Sequence, residues 1–339
     1  MLSFGLPLAE CRAAIKWLPD DFRVDEILGF DGDEEGPHWL FQVEKCKRNT
    51  QDVAKHLARV LGVCRSDIGY CGLKDRWALT RQWFSSPAHQ ARSPEGLCGP
   101  GWRVIRSIRH RRKLRRGAHR ANRFQIKLRG FVGSERSLCD RIDTLKVIGF
   151  PNYFGSQRLG VNGANLQQAR QRFDGRVGRP KSFAERMFLS AARSHLFNQV
   201  LSQRLARDCW SMPLERDIVM LDGSHSVFVA EASASAELDR RLAAMDVHLT
   251  GPLWGRDRSL SASAWRREAT WLANEDGLCA GIEASGARAD RRSVRATCRD
   301  LRAQFLSSHC VRLDFTLERG VYATSLMREL VVIENVGGR

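Results

Sequence analysis

Along the first part of the chain, apolar and polar positions alternate in short runs, and these runs predict strands. Phe22-Arg-Val-Asp-Glu-Ile-Leu-Gly-Phe30 and His38-Trp-Leu-Phe-Gln-Val-Glu44 both have this two-residue period. The Gly- and acid-rich turn Asp31–Gly36 between them predicts a hairpin. Thr50 stands where it can cap a helix with Val53, Leu57, Val60 and Leu61 on one face. After a central turn, a Pro/Gly/Ser-rich loop is expected over Ser85–Gly101. Trp102 then opens a strand that passes into a basic run ending near Gly117. Arg123–Arg129 reads as a strand with Phe124, Ile126 and Leu128 on one face. Ser134 caps a further helix whose stripe is Leu138, Ile142 and Leu145.

Phe150–Gly160 breaks this pattern, being turn-rich, aromatic and polar at once, and beyond it the period becomes helical. Ser182–Ala206 predicts a long amphipathic helix, with Phe183, Met187, Phe188, Ala191, Phe197 and Leu201 available for a core. Strands at Asp217–Leu221 and Ser226–Ala230 follow, then helices around Ser235–Met245, Ser263–Asn274 and Arg292–Leu306. The chain closes with an alternating strand, Val311–Glu318, and a short helix, Ala323–Val332. Because this last strand resembles the early ones, the middle block reads as an insertion into one sheet domain. At 339 residues the chain is long enough for two ordinary cores.

The central turn carries the candidate chemistry. Gly69-Tyr-Cys-Gly-Leu-Lys-Asp75-Arg-Trp-Ala-Leu-Thr-Arg-Gln-Trp83-Phe-Ser85 reads as strand, sharp turn, strand. Gly69 and Gly72 suit a close backbone approach or a positive φ. At the apex Asp75 lies between Lys74 and Arg76. An acid between cations on a loop suits a nucleophile or general base, and it equally suits a polar turn.

Composition adds the partner. The 55 Lys and Arg against 38 Asp and Glu give a formal net charge of +17, and most of the cations are Arg. An Arg-rich composition explains the total but not its clustering in Arg109, Arg111, Arg112, Lys113, Arg115 and Arg116. So dense a run repels itself unless phosphates neutralise it, although a solvated edge strand blunted by charge has the same appearance. Nucleic acid is favoured over a membrane surface, since no stretch joins a basic face to a long apolar one. The ten Cys form no Cys-x-x-Cys pair and no zinc-like spacing, which fits reduced thiols in a cytosol. The N-terminal residues lack the pattern of a signal peptide and no run reaches transmembrane length, so a cytoplasmic protein is expected.

Several separated segments together resemble the TruD family of tRNA pseudouridine synthases. They are Pro19-Asp-Asp-Phe22, Gly72–Trp83, Asn122-Arg-Phe124, Pro151-Asn-Tyr-Phe-Gly-Ser-Gln-Arg-Leu-Gly160, Ser190–Gln199 and Gly320–Glu329, in that order. The resemblance implies an α+β fold, with a mixed-sheet pseudouridine-synthase domain interrupted by a mainly helical α/β insertion. The family's usual limits put that insertion at about 149–296. The domains are drawn here as 1–155 with 305–339, and 156–304. The resemblance further implies action on uridine 13 of tRNA with no cofactor, no metal and no obligatory protein partner. It assigns the catalytic carboxylate to Asp75, its partner cation to Lys16, and contacts with the uracil to Phe22, Asn122 and Tyr322. Tyr322 and Leu159 stand where the family commonly has Phe.

Making pseudouridine breaks C1′–N1, turns the base and joins C5 to C1′. A carboxylate beside the sugar can attack C1′, take a proton from C2′ or balance positive charge, and the residues leave these open. A non-catalytic RNA-binding protein would share the charge without needing the Asp75 motif. A nuclease or glycosidase would need a metal-binding cluster or a second catalytic carboxylate, and neither pattern is present in the sequence.

Overall fold

The computed structural model describes residues 2–88, 93–173, 178–231 and 235–336. The chain divides into two compact units. The first comprises Ala9–Lys146, Cys298–Gly320 and Leu330–Arg339; the second comprises Met1–Leu8, Val147–Thr297 and Val321–Glu329.

In chain order the first unit contributes β1 (Arg12–Ile15), β2 (Phe22–Ile27), β3 (His38–Lys45), α1 (Thr50–Leu61), β4 (Gly69–Tyr70), β5 (Leu79–Pro87), β6 (Cys98–Gly99), β7 (Trp102–His110), β8 (Ala121–Val132) and α2 (Glu135–Ile148). The second follows with β9 (Phe150–Pro151), α3 (Ala164–Phe173), α4 (Phe183–Ala206), β10 (Ile218–Leu221), β11 (Val227–Val229), α5 (Ser235–Ala243), β12 (Val247–Leu253), α6 (Ala262–Trp271), α7 (Asp276–Ala284), β13 (Asp290–Ser293) and β14 (Arg295–Ala296). The chain returns to the first unit with β15 (Arg299–Ser307) and β16 (Cys310–Glu318), gives most of α8 (Ala323–Leu330) to the second, and ends in the first with β17 (Val332–Val336).

The first unit is built on a mixed sheet of order β15-β16-β8-β2-β5-β3-β7-β6, to which β1, β17 and β4 attach at the side. Its register decides which residues share a face. Phe22 lies opposite Ile126, Val24 opposite Phe124 and Glu26 opposite Asn122. On the other side of β5, Lys45 lies opposite Thr80, Val43 opposite Gln82 and Phe41 opposite Phe84. Paired residues point the same way, so one face carries both an apolar end and a polar end. At the apolar end, Phe41, Val43, Phe84 and Trp102 pack against Val53, Ala54, Leu57 and Leu61 of α1. Burying each such side chain contributes about 1.5–3 kcal/mol. The polar end holds Lys45, Thr80, Gln82, Glu26 and Asn122, all buried, and there the turn bearing Asp75 is seated.

Several sequence expectations change here. The hairpin between Phe22–Phe30 and His38–Glu44 does not form, because β5 lies between the two strands, parallel to β2 and antiparallel to β3. Thr50 is the first helical residue of α1, and the cap position belongs to Asn49. Val60 is 43% exposed and Phe183 is 51% exposed, so neither contributes to the core assigned to it. In the predicted loop after Ser85, β5 continues to Pro87 and β6 appears, while residues 89–92 lie outside the described residues. The helix expected over Arg292–Leu306 is instead the end of β13, then β14 and β15. β15 is the edge of the large sheet; Leu301 is buried while most of its neighbours face out, so its period of two is masked by exposed polar side chains. The drawn limit at 304 falls inside β15, whereas the division between the units falls after Thr297.

The second unit has a four-stranded antiparallel sheet, β11-β10-β12-β13, with α4 as its central helix. Ser182 and Glu185 form a capping box that starts α4. Ala192, Leu196 and Val200 face one core cluster, and Phe197 and Leu201 face a second. The first and last strands of the block, β9 and β14, pair directly, with Phe150 opposite Ala296.

Candidate active site

Asp75 sits on the turn between β4 and β5, with its side chain 24% exposed. Its Oδ1 accepts the backbone N–H of Trp77 at 2.9 Å, a local turn bond that orients the carboxylate. Its Oδ2 accepts a hydrogen bond from Lys16 Nζ, in a charged pair 15% exposed on the lysine side. Burial works to raise the Asp75 pKa. The charge and hydrogen bond of Lys16, the Trp77 N–H and the charge of Lys45 together outweigh it, so the carboxyl lies below its ordinary 3.8. The group is therefore an anion at neutral pH.

The backbone under this anion is held from below by buried side chains. Lys45, 1% exposed, donates to the carbonyls of Arg48 and Asp75, each at 2.9 Å. Burial pushes the Lys45 ammonium down to about 8; the Asp75 charge opposes that shift and the Lys74 charge adds to it. Thr50 Oγ1 accepts the Lys74 N–H at 3.0 Å and donates to Gln82 Oε1 at 2.9 Å. Gln82 in turn donates to the carbonyl of Gly72 at 2.6 Å. Gly69 has a different role: a Cβ there would meet the Leu114 carbonyl and Ser85 Oγ at 2.5 Å. Gly72 needs neither a positive φ nor a close approach, since a Cβ would make only an ordinary contact with His119 at 3.6 Å.

Lys16 reaches Asp75 from the end of β1 in a left-handed conformation, φ 56°, which costs a lysine about 1–2 kcal/mol. The following turn is fixed by Asp21, fully buried, which accepts Leu18 N–H at 2.9 Å and Arg129 at 2.8 Å. Lys16 Nζ also lies 4.6 Å from the ring centre of Phe22. Phe22 is 5% exposed and meets Phe124 edge-on at 6.1 Å. The sequence neighbour Lys74 turns away from Asp75. It forms a buried pair with Glu26 at 2.7 Å and donates to Asn122 Oδ1. Lys16 thus touches both Asp75 and Phe22, while Asn122, four residues along β8 from the Ile126 that lies opposite Phe22, is reached from the Asp75 turn through Lys74.

The family model of tRNA pseudouridine synthase D (TruD) matches residues 4–173 and 175–330. The chain belongs to the TruD family. A tRNA pseudouridine synthase D of Methylococcus capsulatus is 40% identical over 336 residues, covering 96% of this chain and 93% of the relative. One of Nitrosococcus oceani is 41% identical over 349 residues, covering 100% and 96%. A solved Methanosarcina mazei structure assigned as tRNA pseudouridine synthase D shares the fold, with a TM-score of 0.70 at 20% identity, covering 98% of this chain and 95% of that one.

Tyr322 belongs to the second unit of this TruD chain. Its ring meets Phe154 at 5.9 Å, and its hydroxyl accepts from Arg158 Nε at 3.0 Å. The basic run is less uniform than its sequence suggests. Arg109 donates to the Gly36 carbonyl and lies over Trp39, Arg111 pairs with Asp33 at 2.9 Å, and Lys113 donates to the Ser66 carbonyl. Arg116 donates to the Tyr70 hydroxyl at 2.8 Å and covers its ring. Arg112 and Arg115 are exposed and have no protein partner among the described residues. Asp33 supplies part of the neutralisation expected of phosphates, and the carbonyls and the Tyr70 hydroxyl occupy donors of the other cations.

Sequence reasoning missed Glu26, Lys45, Thr50, Gln82 and Asp21. A signal was available for Glu26 and Lys45: each is a charge at an inward position of an alternating strand, a burial tolerated only with partners.

Proposed function

We propose that this protein isomerises a uridine of tRNA to pseudouridine, uridine 13 by its family resemblance. The observation that carries the proposal is the Asp75 carboxylate, partly accessible, kept ionised by Lys16 and held on a braced turn. The names of the relatives supply tRNA and pseudouridine, and the net charge of +17 suits a polyanion.

In this reading Asp75 acts at the ribose, by attack on C1′ or removal of the C2′ proton, as N1 leaves. Lys16 maintains the anion. Phe22, Asn122 and Tyr322 hold the freed uracil while it turns, so that C5 rather than N1 meets C1′. The flipped nucleotide requires the tRNA stem to open locally. Arg112 and Arg115, with whatever the other cations of the run release, meet the RNA backbone. The block from about 149 to 296 is an inserted domain; the pairing of Phe150 with Ala296 brings its entering and leaving strands together. We place the protein in the cytoplasm, where its ten cysteines, all free thiols, are stable.

The test is tritium release from tRNA labelled at C5 of uridine, since C5 loses its hydrogen only when it bonds to the sugar. Release together with intact RNA is expected. RNA bound without release identifies a binding protein, and cut or base-free RNA identifies a hydrolase.

A further inference from the structure

We propose that Lys74 is a positioning residue that locks the amide of Asn122 with its N–H donors facing out, making Asn122 a reader of a carbonyl oxygen on the target base. This rests on the functional reading above and adds to it which groups of the base are recognised, and by what.

An Asn side chain has an acceptor end and a donor end, and in isolation it presents either one. Here it has no such freedom. Lys74 Nζ donates to Oδ1 of Asn122, and an ammonium has three donors and no acceptor. Rotating the amide by half a turn would set Nδ2 against that ammonium, donor against donor. The lysine is itself confined. It is 7% exposed and ion-paired at 2.7 Å with Glu26, whose side chain is fully buried. Glu26 also accepts the Trp83 N–H at 3.1 Å, so the carboxylate is fixed from a third strand. The sheet register supplies the alignment, because Glu26 lies directly opposite Asn122. The remaining neighbour, His119, is pushed down to about 4, first by burial and then by the charges of Lys74 and Arg319, and stays neutral. It therefore brings no second cation to compete with Lys74 for Glu26.

What remains of Asn122 is Nδ2. The residue is 9% exposed, and this nitrogen has no protein partner among the described residues. It lies on the sheet face that also carries Phe22 and receives the Asp75 turn. These N–H donors suit a base that presents a carbonyl there, which for uracil is O2 or O4. The uracil N3–H, itself a donor, must be met by something else. A contact at O4 would also reject cytosine, whose exocyclic amine presents a donor there.

The experiment compares wild type and Asn122→Ala on three tRNAs, with uridine, 2-thiouridine or 4-thiouridine at the target position, read as kcat/KM for tritium release. Sulfur is a weaker acceptor than oxygen. Wild type is expected to lose about tenfold on one thio substrate and little on the other, while Asn122→Ala treats all three alike. Equal ratios in the two proteins would overturn the assignment of Asn122 as a carbonyl reader. A double-mutant cycle with Lys74→Met then tests the lock. If Lys74 acts through Asn122, the loss it causes in wild type should shrink at least tenfold in the Asn122→Ala background. An undiminished loss would overturn the positioning role. Should Lys74→Met not fold, Lys74→Arg replaces it; this variant retains donors and must retain the thio selectivity. No release by wild type on the unmodified tRNA would refute the function, a result separate from either of these.

Discussion

Asp75→Asn is the most incisive perturbation the site offers. The amide keeps the size of the side chain, and its oxygen can still accept the Trp77 N–H that Asp75 accepts at 2.9 Å. What disappears is the negative charge that Lys16 meets and that partly offsets the burial of Lys45. An amide is a poor nucleophile, a poor base and no counter-charge for an electron-poor C1′. The rate is expected to fall at least a thousandfold, equivalent to about 4 kcal/mol of transition-state stabilisation. Stability should change far less, by about 1 kcal/mol, because the Lys16–Asp75 pair is partly open to solvent. Binding should persist or tighten, since removing an anion cannot weaken attraction to phosphates. Single-turnover tritium release measures the first effect, chemical denaturation the second and filter binding the third. Near wild-type turnover by a folded, tRNA-binding Asp75→Asn would falsify the catalytic assignment and leave Asp75 as a turn residue.

The same carboxylate predicts a pH response. Its folded pKa is below the ordinary 3.8, so its contribution is fully present above the unfolded value and lost as pH falls through the folded one. Protonation of Asp75 should therefore leave turnover flat through neutral pH and reduce it only in strong acid, in the range where the fold itself fails. Lys45→Met leaves the Arg48 and Asp75 carbonyls without their donor and should cost about 1–3 kcal/mol in denaturant titration. For Lys45 the sign is that of a base depressed from 10.5 to about 8: its burial penalty is full below 8 and relieved as pH rises towards 10.5. Wild type should therefore gain on Lys45→Met through that window. Gly69→Ala places a Cβ 2.5 Å from the Leu114 carbonyl and should cost about 1–3 kcal/mol, whereas Gly72→Ala should be tolerated in melting experiments. Replacing Arg112 and Arg115 together by Ala should flatten the log–log salt dependence of tRNA affinity by about 0.9 for each duplex-like phosphate that these side chains neutralise; an unchanged slope would move the RNA footprint elsewhere.

What was legible in the sequence follows from how far each signal reaches along the chain. β3, β8 and β16 are readable because apolar positions recur every second residue within one segment. The order in which strands pair is not written locally. The turn after Phe30 has hairpin composition, yet β2 finds β5 as its parallel partner across the whole of α1 and the Asp75 turn. Similarly, Arg299–Ser307 has the polarity of a solvated helix because an edge strand in this sheet exposes most of its side chains. The capping role given to Thr50 shows the same limit on a smaller scale. Its hydroxyl has the chemistry of a cap, but the Lys74 N–H and Gln82, far away in sequence, claim it.

The site residues divide along the same line. Asp75 was a candidate from the residues alone, but as one of two readings, catalytic anion or polar turn; it was the family resemblance, not spacing, that named Lys16, Phe22 and Asn122. The structure supplies the physical reason these positions differ from ordinary surface polarity. Lys45 and Glu26 are charges placed on a buried sheet face, and Lys74 reaches that face from the turn; there an unpaired ion would be far more costly than a hydrophobic residue of similar size. A fold needs no such groups in order to be stable, since α1 closes the other end of that face with aliphatic side chains alone. Their expense is explained by position. Every one of them fixes the backbone or a side chain of the turn that carries Asp75, so that this partly open carboxylate is held in place beside Lys16.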